Sequence, residues 1–176
     1  MRGNLTAGRS SGRPADDSSP TVTHDRRVTI GIELVRPDGL AANAPYAYAA
    51  VTEPGRMTFT AGACPLDADG SVVAVGDVAG QTRQVMTNLA TALEGAGVAL
   101  CDVLKTTVYV ATNDRNDLVA AWEVVREAMD GHDAPSTLVG VTVLGYPDQL
   151  VEVEAIAIRD SWPEPAPPHD GDDEDA

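Results

Sequence analysis

The chain has 176 residues and a formal net charge of -15 at pH 7, with 27 acidic against 12 basic side chains. A chain of this length can bury a substantial core in one domain. Between residues 26 and 159 there are 17 acids against 9 bases. A surface of that sign repels phosphate backbones, which proteins bind through Lys and Arg. The composition therefore excludes nucleic acid as an expected partner.

Three segments differ in composition. Residues 1–25 offer almost nothing to bury, so we expect a disordered N-terminal arm. Residues 160–176 hold seven acids and no Lys or Arg, which predicts a disordered, acidic, Pro-rich tail. Residues 26–159 form the single predicted domain. Since no apolar run approaches the ~20 residues of a membrane span and no signal-peptide core is present, we expect a cytoplasmic protein without a membrane partner.

The first half of the domain is predicted to contain mostly strands. Alternating apolar and polar residues favour strands over 27–35, 44–51 and 57–61, and a brief strand over 72–75. The clearest helix follows over 77–95, because its apolar residues recur at helical spacing and form one stripe.

The second half is predicted to contain a strand over 104–111, a helix over 114–129, and strands over 137–144 and 150–158. Strands separated by two long helices predict an α+β fold, in which both helices pack on one face of a mixed sheet. The other face of that sheet then needs a cover. We expect self-association to provide it, as a closed ring without free edges.

The last predicted strand carries two carboxylates on one face. Val151 and Val153 alternate with Glu152 and Glu154, which puts the two glutamates on the same side, about 7 Å apart. Like charges at that separation require water, partners or a shared proton. On spacing alone, a solvated strand face and a catalytic pair both fit this pattern.

The two cysteines, Cys64 and Cys101, stand far apart in the chain, and no CxxC or HExxH pattern occurs. We therefore expect no metal site and no cofactor. Both thiols are predicted to be small, buried and reduced, with a reactive Cys64 as the alternative.

Several short motifs run through the domain. They are Ala44-Pro45-Tyr46, Thr60-Ala61-Gly62 with Pro65-Leu66-Asp67, the helical Gln81-Thr82-Arg83-Gln84-Val85, and the strands at 102–110 and 151–157. Together they resemble the RidA (YjgF) family over roughly residues 27–158. The resemblance implies a chorismate-mutase-like fold that assembles as a homotrimer.

The same resemblance implies an enzyme. Characterised members of the family hydrolyse reactive enamines and imines to a 2-oxo acid and ammonia, in a cleft between subunits. The family's water-positioning glutamate falls on Glu152, and the tyrosine that closes the pocket falls on Tyr46. Gly62, Ser136 and Thr137 are then expected to be substrate-binding residues, the last two as hydrogen-bonding groups.

One position departs from the family pattern. The motif Pro-Ala-Arg-Ser, whose arginine binds the substrate carboxylate, aligns with Asp133-Ala134-Pro135-Ser136. Pro135 therefore stands at a substrate-binding position without a donor, where a guanidinium would offer a bidentate fork. No other arginine of the sequence lies within the motif.

Two functions of different classes stay open at this point. The first is a hydrolase that deaminates a reactive imine, enamine or related small molecule, with Glu152 activating water. The second is a non-catalytic protein that binds a small metabolite or regulates in response to it. Glu152 favours the first and Pro135 favours the second. The ribonuclease activity reported within the wider family is disfavoured by the acidic charge of the domain.

Overall fold

The computed structural model describes residues 31–41 and 43–159, so the predicted arm at 1–25 and tail at 160–176 lie outside the described residues. Its strands and helices are, in chain order, β1 (Glu33–Val35), β2 (Ala49–Val51), β3 (Arg56–Phe59), α1 (Val78–Gly95), β4 (Val103–Ala111), α2 (Arg115–Ala128), β5 (Ser136–Val141) and β6 (Val151–Arg159). A short 3-10 helix, Leu100–Asp102, leads into β4.

Both long helices begin after an aspartate. Asp77 Oδ1 accepts a hydrogen bond from Gly80 N at 2.9 Å, and Asp114 Oδ1 accepts one from Asn116 N at 2.9 Å. These bonds satisfy N–H groups that have no partner inside the helix. Gly97, with a φ of 79°, follows α1 in the left-handed conformation that commonly ends a helix.

The main sheet has four strands in the order β3-β6-β4-β5. Strand β6 pairs antiparallel with both β3 and β4, whereas β4 and β5 pair in parallel. A parallel pair requires a crossover connection, and α2 provides it between β4 and β5. Strands β1 and β2 form a separate antiparallel pair. The predicted mixed sheet is therefore confirmed.

Both helices pack on the same face of this sheet. The apolar stripe of α1 buries Val85, Leu89 and Leu93 completely. They meet a set of buried sheet residues in one core, namely Val103, Val108, Val110, Val151, Val153, Ala155 and Ala157. The strand residues alternate because every second side chain points to the same face. The predicted arrangement of two helices on one sheet face is confirmed.

The opposite sheet face, which we call the open face, is not covered by any helix of the described residues. It exposes Phe59 by 68% and Met57 by 51%, and it also carries Glu152 and Glu154. Exposed apolar side chains grouped in this way are typical of an interaction surface. The trimeric ring stays a prediction.

Two expectations about local structure need correction. The strands predicted at 27–35 and 44–51 shorten to β1 and β2, with 27–30 outside the described residues. The brief strand at 72–75 is wrong, since only an isolated bridge between Leu66 and Val72 forms there. The Asp67 side chain folds this segment into a tight loop by accepting from Ser71 N at 2.9 Å. In the described part of the chain, no helix has the length and apolarity to cross a membrane.

Candidate active site

Glu152 lies on the open face near one end of β6. Its neighbours Val151 and Val153 are fully buried toward the helices, so alternation along the strand directs Glu152 to the other side. The pairing register places Glu152 opposite Tyr109 of β4. The predicted placement of Glu152 and Glu154 on one face is confirmed by the same alternation.

Two side chains from different loops hold one oxygen of this carboxylate. Gln149 Nε2 donates to Glu152 Oε2 at 3.0 Å. The Cys64 thiol lies 3.7 Å from the same oxygen and 3.7 Å from Gly62 O. Gln149 Nε2 also lies 3.3 Å from Cys64 Sγ. Cys64, Gln149 and Glu152 therefore form one contiguous cluster, which we call the Glu152 cluster.

The second oxygen of the carboxylate lies against Gly62. A Cβ atom at that position would stand 1.8 Å from Glu152 Oε1, so only a residue without a side chain leaves room for the carboxylate. Within the described residues, no hydrogen-bond donor reaches Oε1. A carboxylate with one oxygen held and the other unbonded is suited to accept a proton from a nearby water.

The surroundings of Cys64 disfavour its thiolate form. Burial raises the pKa of the Cys64 thiol, and the negative charge of Glu152 raises it further, while the hydrogen bond from Gln149 opposes them. A thiol of this kind is a weak nucleophile and acts as a hydrogen-bond donor. Cys64 is half-buried and Cys101 is exposed, so the expectation that both thiols are buried is wrong for Cys101.

Glu154 has a different set of partners. Tyr109 Oη donates to Glu154 Oε1 at 3.0 Å, and this hydrogen bond is the main reason why the pKa of Tyr109 is raised. On the same face, Lys105 Nζ donates to Thr137 Oγ1 at 2.7 Å and to Thr106 O. Burial lowers the pKa of Lys105, and the charge of Glu154 acts in the opposite direction.

The segment that replaces the family's arginine motif is well packed. Pro135 is buried, and its carbonyl accepts from Thr106 N at 3.0 Å. The Ser136 hydroxyl lies 2.6 Å from the hydroxyl of Thr106, a buried residue on the helix side of the sheet. Thr137 is exposed and bonds Lys105 on the open face. Of the two predicted hydroxyl groups, only that of Thr137 shares a face with Glu152.

One arginine does reach this segment, although it is remote in sequence. Arg36 Nη2 forms an ion pair with Asp133 Oδ2 at 2.7 Å. Its Nη1 donates to Ala44 O at 3.0 Å and to Tyr46 O at 2.6 Å. The guanidinium is therefore committed to fastening the 44–46 segment to Asp133, and it does not offer a free fork to a ligand.

Tyr46 lies beside α2 rather than beside Glu152. Its ring forms edge-to-face contacts with Tyr48 at 5.8 Å and with Trp122 at 6.4 Å between centroids. Such packing fixes the ring direction. Within one chain the structure thus brings Gly62 and Glu152 together, while Tyr46, Pro135 and Ser136 lie elsewhere.

Three functional candidates were missed at the sequence level, namely Gln149, Lys105 and Arg36. Arg36 and Lys105 contact residues that are remote in sequence, and Gln149 lies in an irregular connection. No periodic pattern in the sequence therefore marks these residues. Among the described residues, no group of three or more His, Cys, Asp or Glu side chains is placed to hold a metal ion.

The sequence model of the family described as Endoribonuclease L-PSP matches residues 37–159. The chain belongs to this family. It is the same family, RidA (YjgF), that the motifs predict, and the prediction is confirmed.

Individual relatives agree with this assignment. A RutC family protein of Pyrococcus horikoshii is 40% identical over 114 residues, covering 64% of this chain and 87% of the relative. A Salmonella typhimurium protein named 2-iminobutanoate/2-iminopropanoate deaminase is 35% identical over 122 residues, covering 66% of this chain and 93% of the relative. A Rid family structure from Yersinia pestis superposes with a TM-score of 0.68 at 29% identity, covering 72% of this chain and 98% of that one. The predicted chorismate-mutase-like α+β fold is confirmed.

Proposed function

We propose that this protein hydrolyses the C=N bond of a small imine, or of an enamine that tautomerises to one, with Glu152 activating the water. The observation that carries the proposal is the Glu152 carboxylate, whose Oε2 is held by Gln149, while Oε1 lies against Gly62 without a donor from the described part of the chain. The relative named as an imine deaminase supports the reaction class.

The chemistry requires two proton movements. Glu152 Oε1 accepts a proton from water as the water oxygen bonds to the imine carbon, and it passes this proton to the imine nitrogen, which gives a carbinolamine. Glu152 then accepts the proton of the carbinolamine hydroxyl, whose oxygen becomes the carbonyl, and transfers it to the nitrogen, which leaves as ammonia. One carboxylate thus serves as base and then as acid in each of the two transfers.

The substrate is proposed to bind between copies of the chain. Tyr46 lies beside α2 in its own chain, so only the Tyr46 of a neighbouring copy could reach the open face. Phe59 and Met57 supply apolar area for such an interface. We therefore propose the homotrimer that the family resemblance implies, with its cleft closed by the Tyr46 of a neighbouring copy.

The site favours a substrate that has no carboxylate. Pro135 provides no donor, Arg36 is committed to Asp133, and Lys105 is committed to Thr137 and Thr106. Glu152 and Glu154 add two negative charges to the same face. A substrate carboxylate there would be repelled by these charges, whereas an imine of an aldehyde or ketone would meet no such cost.

Pro135 supports one second candidate, a binding protein that holds a small metabolite without turning it over. With Pro135 in place of an arginine, the site lacks the guanidinium that would orient a substrate carboxylate for attack. The family description also raises ribonuclease activity, but 17 acids against 9 bases between residues 26 and 159 disfavour a polyanionic substrate.

Pro135→Arg tests the proposed substrate class. Wild-type protein is given imines formed by an amine oxidase, which have no carboxylate, and imines formed by an amino-acid oxidase, and ammonia release is followed above the buffer rate. We expect wild type to accelerate the first class. The variant should gain about 10- to 100-fold on the second, the value of a charged bidentate contact.

Circular dichroism and light scattering keep this test interpretable, since Pro135 is buried. If a folded Pro135→Arg variant gains nothing on amino-acid imines, the missing arginine does not set the substrate class. If wild type accelerates neither class but binds either one, the binding-protein candidate replaces the enzyme.

A further inference from the structure

Gln149 is a buried glutamine just before β6. It is 4% exposed, and its polar atoms are all engaged. Its Oε1 accepts from Tyr146 N at 3.0 Å. Its Nε2 lies 3.0 Å from Glu152 Oε2, 3.2 Å from Val151 O and 3.3 Å from Cys64 Sγ. A side chain bonded at both ends has one position available to it.

A second glutamine fixes the backbone around Gln149. Gln81 of α1 is completely buried. Its Nε2 donates to Asp148 O at 2.8 Å, and its Oε1 accepts from Leu150 N at 2.7 Å. The backbone is thus fastened immediately before and after Gln149, at a bend where Asp148 has a φ of 62°. The core helix therefore determines where the Gln149 amide lies.

We propose that Gln149, held in place by Gln81, is a positioning residue for Glu152. Together with the Cys64 thiol it occupies Oε2, and it thereby leaves Oε1 over Gly62 as the oxygen that takes the proton from water. The role of Oε1 toward water rests on the proposed function. The positioning of Glu152 against Cys64 does not depend on any substrate.

The charged and titratable groups around Glu152 are few. Cys64 faces it from the loop after β3, Tyr109 faces it from β4, and Glu154 shares its face two residues along β6. Gln149 is the neutral donor among them. Replacing this donor by a carboxylate would place a like charge 3 Å from Glu152, which raises the pKa of a carboxyl group.

The first experiment uses activity on a carboxylate-free imine. Gln149→Met keeps the side-chain length and removes the donor, while Gln149→Glu keeps an acceptor for Tyr146 N. We expect kcat to fall about 10- to 100-fold in both, with KM changed by less than about twofold. In Gln149→Glu the acid limb of the kcat/KM profile should also move to higher pH. Gln84→Met is the matched control, since Gln84 bonds Leu66 and Asn88 instead.

The second experiment needs no substrate. In a Cys101→Ser background Cys64 is the sole remaining cysteine, and its alkylation by iodoacetamide reports the thiolate fraction. Glu152→Gln removes the negative charge that disfavours the thiolate, so alkylation should accelerate about three- to tenfold at fixed pH. If Gln149 holds Glu152 against the thiol, Glu152→Gln should have little effect once Gln149→Met is also present. The ratio of the alkylation rates with and without Glu152→Gln should then fall toward one.

The outcomes separate the two proposals. An acceleration by Glu152→Gln that is equal with and without Gln149→Met overturns the positioning role, whatever the enzyme does. A shrinking acceleration, combined with wild-type protein that releases no ammonia from any imine, supports the positioning and overturns the proposed hydrolysis. An unchanged pH profile in Gln149→Glu also counts against the inference.

Discussion

Glu152 and Glu154 stand two residues apart on one face of one strand, yet they have opposite surroundings. Glu154 accepts a hydrogen bond from Tyr109 and lies in the field of Lys105, so its charge is balanced locally. Glu152 faces the neutral amide of Gln149 and the thiol of Cys64, and none of the described residues donates to its second oxygen, which lies against Gly62. The strand pattern makes the two glutamates look equivalent. Their neighbours from other elements give them different surroundings, and only those of Glu152 suit a general base.

The largest effect is expected when the charge of Glu152 is removed, with Glu154 as the comparison. Glu152→Gln should lower kcat on a carboxylate-free imine by about 100- to 10,000-fold, the value of a general base. Glu154→Gln, the matched control, should lower it by less than about 10-fold. Steady-state ammonia release measures both. Equal losses in the two variants would contradict the division of roles.

Gly62→Ala is expected to have the next largest effect. The added Cβ would lie 1.8 Å from Glu152 Oε1, so the carboxylate must move away. Since the end of a side chain can give way, stability should fall by only about 1 kcal/mol, the low end for overpacking. Activity should fall about 10- to 100-fold, as for a misplaced catalytic group.

Gly95→Ala serves as the control for Gly62→Ala, because nothing lies within 4 Å of its Cβ position at the end of α1. It should leave activity unchanged. Thermal denaturation and kcat are measured on both variants. A Gly62→Ala variant with wild-type kcat would show that the position of Oε1 is unimportant.

The smallest effect concerns the Glu154 side of the comparison. The pKa of Tyr109 is raised in the folded state, so its hydrogen bond stabilises the fold below the unfolded pKa of about 10 and is lost as the pH rises through the folded value. Tyr109→Phe should therefore cost less than about 1 kcal/mol at neutral pH. In urea denaturation, that cost should shrink as the pH rises through the folded-state pKa of Tyr109, and a pH-independent difference would argue against the bond.

Local periodicity in the sequence predicts most of the helices and strands of the fold. The stripe of Val85, Leu89 and Leu93 marks α1, and the alternation of Val151 with Glu152 marks β6, because each pattern repeats with the geometry of its element. The strand predicted at 72–75 is wrong, because a local pattern does not show contacts made by residues outside it. Its valines suggest a strand, but the side chain of Asp67 closes a loop that the pattern does not reveal.

The site was predictable only where it lies on a periodic element or a motif. Glu152 and Gly62 were predicted, and the structure brings them together. Gln149 lies in an irregular connection, and Arg36 meets Asp133 across 97 positions of the sequence. Side-chain contacts of this kind depend on which loops converge after folding, and neither residue has a local signature.

This chain is proposed to turn over a C=N bond rather than merely to bind a molecule that contains one. The most direct measurement counts ammonia released per chain from a carboxylate-free imine, after the buffer rate is subtracted. We predict many ammonia molecules per chain with wild-type protein and a rate lower by about 100-fold or more with Glu152→Gln. One ammonia or fewer per wild-type chain, with Cys64 protected from alkylation by the same imine, would contradict this prediction and identify a binding protein.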